Sequence, residues 1–330
     1  MKRFLTVLFF GVLLLSVSAC GMVTSESRET FAMDTVMNFS AYGKGAEKAL
    51  SDAVDLVNRL EDNYSVSRDS GEIARLNREG TALLTEETAA LIRRCLEISD
   101  MTGGAFRPDL YELTSLWGFL GGENDVPADR DIEEMKKKLQ LGSVILEGNL
   151  ARLDSVKVDL GAAVKGYAGQ LIVDLWKEEG ISSGVLSLGG NVQTLGLKPD
   201  GSLWNVGIVD PENPGVTLCV LHVGETAVVT SGGYQRYFEK DGIRYCHIMD
   251  AETASPVSND LASVTVLVND GLLADCLSTA LFVMGFDRAA SFLAQVGNVD
   301  AVLVKTDGSI FVTPGLKDCI NGAEFEVLPL

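Results

Sequence analysis

Alternating apolar and polar positions divide the start of the chain into a strand and a helix. The stretch "FAMDTVMNFSAYG", from residue 31, alternates with the two-residue period of a half-buried strand. The next stretch, "GAEKALSDAVDLVNRLEDNYS", has apolar residues at the three- and four-residue spacing of a helix. A strand that leads into an amphipathic helix is therefore predicted for residues 31–65.

The same periodicity, together with end signals, predicts further helices. Thr85 is a predicted N-cap of a helix that Gly103 and Gly104 end, and "DIEEMKKKLQLG" predicts a mostly solvated helix. "VDLGAAVKGYAGQLIVDLWKEEG" predicts a helix that ends at Gly180. The stretch "GLLADCLSTALFVMG", residues 271–285, is almost entirely apolar and predicts a buried helix.

Short strands dominate the second half of the chain. "VILEGNLARL" has a Gly-Asn turn between strand-like runs, and "VLVKTDGSIFVT" has a hairpin turn at Asp307-Gly308. "GVLSLGG", "LWNVGIV" and "SVTVLV" predict single strands. Helices and strands mix without a regular β-α-β alternation, which favours the α+β class over a doubly wound parallel sheet. No internal repeat or clean linker divides residues 31–330, so one domain is predicted there.

The N-terminus has the pattern of a lipoprotein signal. Two basic residues precede an apolar run from Phe4 to Leu15, which is too short to span a bilayer comfortably. The "VSAC" that follows resembles the bacterial lipobox, whose cysteine is lipidated and becomes the mature N-terminus. Residues 1–19 are therefore a predicted signal peptide, Cys20 a predicted lipidation site and residues 20–30 a tether. Ordinary cleavage that leaves a free thiol is the alternative. The lipobox predicts an extracytoplasmic protein that is lipid-anchored to the cytoplasmic membrane.

Composition restricts the partners and the kind of site. The chain has 46 acidic and 27 basic residues and a formal net charge of −19, so nucleic acid is not an expected partner. An anionic ligand would need local positive charge from a cation, a lysine or a helix N-terminus. The cysteines beyond Cys20 form no CxxC pair, which indicates buried thiols rather than disulfides or a zinc site. They are Cys95, Cys219, Cys246, Cys276 and Cys319.

Asp275 and Thr279 are the polar residues that stand out in the predicted buried helix. They lie one helical turn apart, and burying either side chain costs free energy unless a partner is present. A carboxylate and a hydroxyl on one face are ligands that suit a hard cation such as Mg²⁺. Alternatively, the aspartate interacts with the helix dipole and the threonine bonds to its own backbone.

Three other stretches carry candidate chemistry. In "VDLGAAVKGYAG", Asp159 and Lys165 flank small residues, where a backbone carbonyl could complete a metal shell; a tight turn with an exposed lysine is the alternative. The Gly189-Gly190 pair suits either a close ligand approach or a plain turn. His247 is a candidate general base or a structural histidine, and His222 is predicted to be a core or edge histidine. These patterns together indicate a cation-assisted anion site, and spacing alone leads no further.

Eight stretches, taken in order over about residues 31–313, resemble the ApbE family of FAD:protein FMN transferases. The order makes the resemblance specific, and it implies an α+β fold with mixed and antiparallel sheets, flanking helices and two closely packed lobes. The stretches are "MDTVM", "YSVSRDSGEIARLN", "TGGAFRPDLYELTSLWGF", "DLGAAVKGYA", "LGGN", "TSGGYQRYF", "HIMDAETASP" and "ADCLSTALFVMG".

The resemblance implies a set of site residues. Asp275, Thr279 and the backbone carbonyl of Ala162 are expected to hold Mg²⁺. His247 is expected to accept the proton of a threonine or serine hydroxyl on an acceptor protein, which receives FMN from FAD while AMP leaves. The residues expected to line the FAD site are Met33, Ser67, Ala105, Phe106, Arg107, Asp159, Ala162, Lys165 and Ile248. The expected acceptors are subunits of membrane redox complexes or extracytoplasmic flavoproteins.

The chain departs from the family pattern at several positions. Ser67 stands where members often have an aromatic residue, and "GAFRPD" replaces G-A-F-D-P-T, which puts the basic Arg107 beside the ligand. "TSGGYQR" replaces T-S-G-D-Y-x-R, and "DAETASP" replaces D-P-x-T-G. Two other functions use the same site: an Mg²⁺-dependent FAD pyrophosphatase that yields FMN and AMP, and a flavin-binding lipoprotein without catalysis.

Overall fold

The structure is a computed structural model that describes residues 25–329. Within that part of the chain, eight α-helices surround the sheets. They are α1 (Ala46–Tyr64), α2 (Glu72–Glu79), α3 (Glu86–Met101), α4 (Tyr111–Leu116), α5 (Asp129–Leu141), α6 (Val164–Glu178), α7 (Gly271–Met284) and α8 (Phe286–Val296). A short 3₁₀ helix spans Pro314–Leu316.

The strands form one large sheet and several small ones. The large sheet has nine strands, in the order β1-β2-β6-β7-β10-β15-β16-β17-β19; the three-stranded sheets have the orders β18-β9-β8 and β3-β5-β4. The strands are β1 (Ser25–Ala32), β2 (Thr35–Tyr42), β3 (Thr81–Leu83), β4 (Ser143–Glu147), β5 (Leu150–Asp154), β6 (Ser183–Leu188), β7 (Asn191–Leu195), β8 (Trp204–Val209), β9 (Thr217–Val223), β10 (Thr226–Gly232), β11 (Tyr237–Lys240), β12 (Ile243–Cys246), β13 (Met249–Asp250), β14 (Ser255–Pro256), β15 (Leu261–Val268), β16 (Asp300–Lys305), β17 (Ile310–Val312), β18 (Ile320–Asn321) and β19 (Glu326–Val327).

Both faces of the large sheet are covered at its central strands, as the alternation along β10 shows. In β10, Val229 faces a core that includes α7 and α8, whereas Val228 packs against Trp204 and Ile208 of the small sheet β18-β9-β8. All the pairs in the large sheet are antiparallel except β17–β19. The expected α+β class is confirmed, because antiparallel strands rather than β-α-β units build the sheet.

Helix α7 is apolar on nearly all sides because it lies between two cores. Leu272 and Cys276 belong to the core that α1, α3 and α6 help to form. Leu277 and Leu281 belong to the core under β10, β15 and α8. A helix with two buried faces leaves little surface for solvent, so a carboxylate on it needs a protein partner or a cation. The predicted buried helix is confirmed.

Several predicted element ends are confirmed. The Thr85 hydroxyl accepts the Thr88 N–H at 3.3 Å and caps α3. Gly103 and Gly104 both have positive φ after that helix, and Gly180 has φ of 82° after α6. Positive φ is unstrained for glycine, which explains why these helices end there.

Two predicted boundaries are wrong. Residues 25–30, which were expected in a tether, belong to edge strand β1, which pairs with β2 over its whole length. The single strand predicted from residue 31 is instead a hairpin, since Met33 and Asp34 have φ of 49° and 59° and form its two-residue turn. β1 is exposed on both faces over most of its length, so no apolar alternation reveals it.

Helix α6 begins later than its sequence predicts. The small residues before Val164 form a turn in which the Leu160 carbonyl accepts the N–H groups of Ala163 and Val164, both at 2.9 Å. Within residues 25–329, no helix is long and apolar enough to cross a membrane. The predicted signal peptide and Cys20 lie outside the described residues.

Candidate active site

Helices α6 and α7 approach each other closely because glycines meet at their crossing. A Cβ atom on Gly166 would overlap the Gly271 carbonyl oxygen and lie 2.6 Å from the Asp275 Cβ. Only residues without a side chain allow the two backbones to come this near. The crossing therefore brings the first turn of α6 against the N-terminal part of α7.

Asp275 caps the N-terminus of α6 from the neighbouring helix. Its Oδ2 accepts the Gly166 N–H at 2.7 Å, and this N–H belongs to the first turn of α6, where no intrahelical partner exists. Ala163, the N-cap position itself, provides no side-chain bond. The carboxylate thus occupies the positive end of the α6 dipole, which favours its charged form.

The surroundings of Asp275 have opposing effects on the pKa of its carboxyl group. Burial raises the pKa of this carboxyl group, whereas the charge of Lys165, the Gly166 N–H and the Asn191 amide lower it. The Asn191 Nδ2 favours the charged form although it lies outside ordinary hydrogen-bond geometry. A cation near the carboxylate would remove the remaining cost of burying its charge.

Thr279 is fixed next to Asp275 by a chain of hydroxyl groups. Its Oγ1 lies 3.3 Å from the Ser231 Oγ of β10, which lies 2.8 Å from the Ser278 Oγ. Ser278 in turn donates to the backbone carbonyl of Asp275 at 2.9 Å. These contacts tie the Thr279 hydroxyl to β10 and to the backbone of Asp275.

The donor set fits Mg²⁺ by its chemistry. Ala162 precedes α6, so its carbonyl takes no part in the helix, and with Asp275 and Thr279 it supplies only oxygen donors, which this hard cation prefers. In the described part of the chain, no cluster of three or more His, Cys, Asp or Glu side chains is arranged for a metal. That finding leaves the predicted set untested, because the set contains only one such side chain.

Lys165 links the charged groups of the site. Its Nζ donates to the Gly161 carbonyl at 3.2 Å, and its charge lowers the pKa of Asp159, Asp275 and His247. Burial raises the pKa of Asp159, and the Gly161 N–H, which its Oδ1 accepts at 2.9 Å, lowers it. Lys165 therefore lies close enough to Asp159, Asp275 and His247 for its charge to act on all three.

His247 presents the tautomer that a general base requires. Its Nδ1 lies 3.1 Å from the Arg236 carbonyl, which can only accept, so Nδ1 carries the proton and Nε2 is the acceptor. Burial, together with the charges of Lys165 and Arg236, lowers the pKa of His247 to about 4. The imidazole is consequently neutral at pH 7 and able to take a proton.

Similarity to known proteins agrees with this geometry. Residues 33–303 match the model of the ApbE family. The chain belongs to the ApbE family. A relative from Treponema pallidum named FAD:protein FMN transferase is 31% identical, over 94% of this chain and 93% of its own. One of the same name from Vibrio cholerae is 30% identical, over 80% of this chain and 82% of its own.

Solved structures of ApbE proteins have the same fold. The ApbE protein from Thermotoga maritima has a TM-score of 0.84 and 28% identity, and the match covers 90% of this chain and 99% of that one. The flavin transferase ApbE from Vibrio cholerae has a TM-score of 0.80 and 25% identity, over 90% and 100% of the two chains.

The expected flavin residue Met33 lies at a strained turn in this ApbE-family chain. Its φ of 49° is unusual for methionine, and its N–H donates to Glu61 Oε1 at 3.1 Å. The Gly189-Gly190 turn lies at the same end of the large sheet, since Met37 pairs with Leu188. Such strain persists only where the surroundings enforce it, and it is common at ligand sites.

Four other expected flavin residues differ in the exposure of their side chains. The side chains of Ala105, Phe106 and Ile248 are buried in the cores, with Phe106 only 2% exposed. Ser67 is exposed and lies 3.0 Å, oxygen to oxygen, from the Ser65 hydroxyl. Contacts between these residues and FAD stay predictions.

The side chain of Arg107 is engaged within the protein. Its guanidinium bonds to both carboxylate oxygens of Asp109, at 2.8 and 2.6 Å, and to the Leu139 carbonyl at 3.0 Å. Arg107 in "GAFRPD" thus forms an ion pair with Asp109, two residues later. Its predicted role beside FAD stays a prediction.

Sequence reasoning did not single out Arg236 and Gln193. Gln193 Nε2 donates to the Gly166 carbonyl at 3.0 Å and fills the space that Gly169 and Gly271 leave open. The sequence signal that could have identified Gln193 is its position as a polar residue inside a buried strand. His222 is half-buried in β9, the central strand of the sheet β18-β9-β8, so the predicted edge placement is wrong; its Nδ1 lies 2.8 Å from Asn205 Oδ1.

Proposed function

We propose that the chain transfers FMN from FAD to a threonine or serine hydroxyl of an acceptor protein and releases AMP. The observation that carries this proposal is the cluster in which Lys165 lies within electrostatic reach of the predicted metal ligand Asp275 and of the neutral His247. The names of the ApbE relatives from Treponema pallidum and Vibrio cholerae support it.

In this proposal Mg²⁺ is held by Asp275, Thr279 and the Ala162 carbonyl. When bound, the ion supplies positive charge that counters the negative charge of pyrophosphate oxygens. The fit of three oxygen donors and the cost of the buried Asp275 charge support this assignment. An acidic protein would otherwise repel a dinucleotide.

Residues of the chain itself have the remaining roles in the proposed reaction. The acceptor hydroxyl oxygen forms a bond to the FMN phosphorus, and the bond from that phosphorus to the bridging oxygen breaks, so that AMP leaves with the bridging oxygen. Nε2 of His247 accepts the hydroxyl proton, and Lys165 offsets charge on the phosphate oxygens. Such a base contributes roughly 10²–10⁴-fold in rate.

The protein is proposed to work outside the cytoplasm on a lipid anchor at Cys20. The apolar run and "VSAC" support this location, and membrane redox subunits or extracytoplasmic flavoproteins are the proposed acceptors. Intact-mass analysis of the mature protein from membrane fractions tests the anchor. A diacylglyceryl mass on Cys20 that is lost in Cys20→Ala supports it, and an unmodified mature N-terminus contradicts it.

One assay separates transfer from its alternatives. Pure protein is incubated with FAD and Mg²⁺, with or without a flavin-acceptor domain, and in-gel flavin fluorescence, free FMN and AMP are measured. Covalent fluorescence with one AMP per flavin supports the transferase. Free FMN without acceptor labelling identifies a pyrophosphatase, and no product identifies a carrier. An acceptor whose target hydroxyl residue is replaced by alanine is the matched control.

A further inference from the structure

Arg236 connects three parts of the site region through different atoms. It lies just before the β11–β12 hairpin, and His247 follows directly after that hairpin. Its guanidinium donates to the Phe119 carbonyl and lies 5.7 Å from the centre of the Phe119 ring. Its own carbonyl accepts both the backbone N–H of His247, at 3.0 Å, and the imidazole Nδ1, at 3.1 Å.

Phe119, which Arg236 contacts, is also in contact with the His247 ring. Phe119 is 1% exposed, and its ring meets the His247 ring edge-on with centroids 6.5 Å apart. Phe119 also packs against Phe238 of β11 at 5.6 Å. The Arg236 guanidinium is therefore tied to the backbone of Phe119, whose buried ring lies against the imidazole. If the guanidinium were released, the carbonyl that holds Nδ1 would lose this anchor.

We propose that Arg236 is a positioning residue that holds its own carbonyl in place, so that His247 stays in the Nδ1–H tautomer with Nε2 as the proton acceptor. Within residues 25–329, no protein group bonds to that Nε2. The partner of one ring nitrogen decides which tautomer is populated. The kinetic part of the test rests on the proposed function of His247, whereas the spectroscopic part does not.

The composition of the chain makes this tautomer directly measurable. The sequence has only two histidines, so ¹⁵N-imidazole spectra contain two sets of signals, and His222 is an internal reference. Arg244 provides the matched control, because it lies in the same hairpin with its guanidinium 4.2 Å from the centre of the Tyr237 ring. No bond joins it to the His247 ring within the described residues.

The expected spectra are distinct for the variants. In the parent protein at pH 7, His247 shows protonated Nδ1 and unprotonated Nε2. Arg236→Met gains the opposite tautomer at His247 and leaves the His222 signals in place, Arg236→Lys shows an intermediate change, and Arg244→Met matches the parent. A parent His247 with its proton on Nε2 overturns the proposal, even if Arg236→Met fails to fold. Parent-like spectra in folded Arg236→Met overturn it too.

Kinetics add a readout that general destabilisation would not produce. In Arg236→Met, kcat for FMN transfer should fall about 10- to 100-fold, the range seen when a partner that orients a metal-bound histidine is removed, with little change in KM for FAD. Arg236→Lys should recover part of kcat. A rise in KM with unchanged kcat contradicts the positioning role. If the parent transfers no FMN, the proposed function fails while the spectra still decide the tautomer.

Discussion

The carboxylate of Asp275 accepts the backbone N–H of Gly166 at 2.7 Å, across 109 residues of sequence. This bond joins α7 to the first turn of α6 and gives the buried carboxylate a partner from outside its own helix. It explains how an almost wholly apolar helix keeps an acid, because the dipole and N–H of α6 stabilise the charge.

Gly166→Ala should disrupt both the packing and the site. The added Cβ would overlap the Gly271 carbonyl, so α6 and α7 must separate, at a cost of about 1–3 kcal/mol. Thermal unfolding should show the loss, and the binding of Mn²⁺, measured by electron paramagnetic resonance, should weaken. Gly215→Ala is the control, since the nearest atom to its Cβ would be 3.7 Å away. Parent-like stability and Mn²⁺ binding in Gly166→Ala would refute the close crossing.

His247→Gln should keep FAD binding and lose transfer. Because the imidazole is the proposed base, the rate should fall by roughly 10²–10⁴-fold. Equilibrium titration with FAD and single-turnover transfer separate the two effects. Transfer at the parental rate would place the base elsewhere.

The low pKa of His247 also predicts how stability depends on pH. The folded pKa of about 4 lies below the ordinary value of 6.5, so the folded state binds fewer protons than the unfolded state. The contribution is present above pH 6.5 and is lost as the pH falls to 4, and it amounts to about 1–3 kcal/mol. The difference in unfolding free energy between parent and His247→Gln should narrow over that window. A difference that is independent of pH contradicts the lowered pKa of the His247 imidazole.

Arg107→Ala should destabilise the fold more than it weakens FAD binding. The change leaves Asp109, whose side chain is 7% exposed, without its ion-pair partner, and such losses cost about 3–5 kcal/mol. The double variant Arg107→Met/Asp109→Asn should recover much of that stability. Chemical denaturation and FAD titration of all three proteins test this. A stable Arg107→Ala with greatly weakened FAD binding would instead identify a ligand residue.

The sequence predicts this fold and site to the extent that local patterns carry the information. The four-residue spacing of Asp275 and Thr279 in an apolar helix already indicated a shared polar point, because helical geometry alone puts them on one face. The partner Gly166 could not be inferred, since only the tertiary crossing brings its N–H to Asp275. Ala162 is expected as a metal ligand only from the family resemblance, because a backbone carbonyl ligand does not depend on residue type.

The features that the sequence does not predict have physical causes as well. Residues 25–30 of β1 fall in the predicted tether because an edge strand with both faces exposed shows no apolar alternation. The Met33–Asp34 turn was missed because methionine is rarely found at positive φ. The bidentate contact of Arg107 with Asp109, two residues later, becomes evident only from side-chain geometry.

The central claim, an oxygen-ligated Mg²⁺ site that supports FMN transfer, is tested most directly with Asp275→Ala. The measurement is the amount of AMP and of covalently labelled acceptor formed from FAD across a range of Mg²⁺ concentrations, for the parent and the variant. The account predicts Mg²⁺-dependent formation of both products by the parent and none by the folded variant. Undiminished, Mg²⁺-dependent transfer by Asp275→Ala would contradict it.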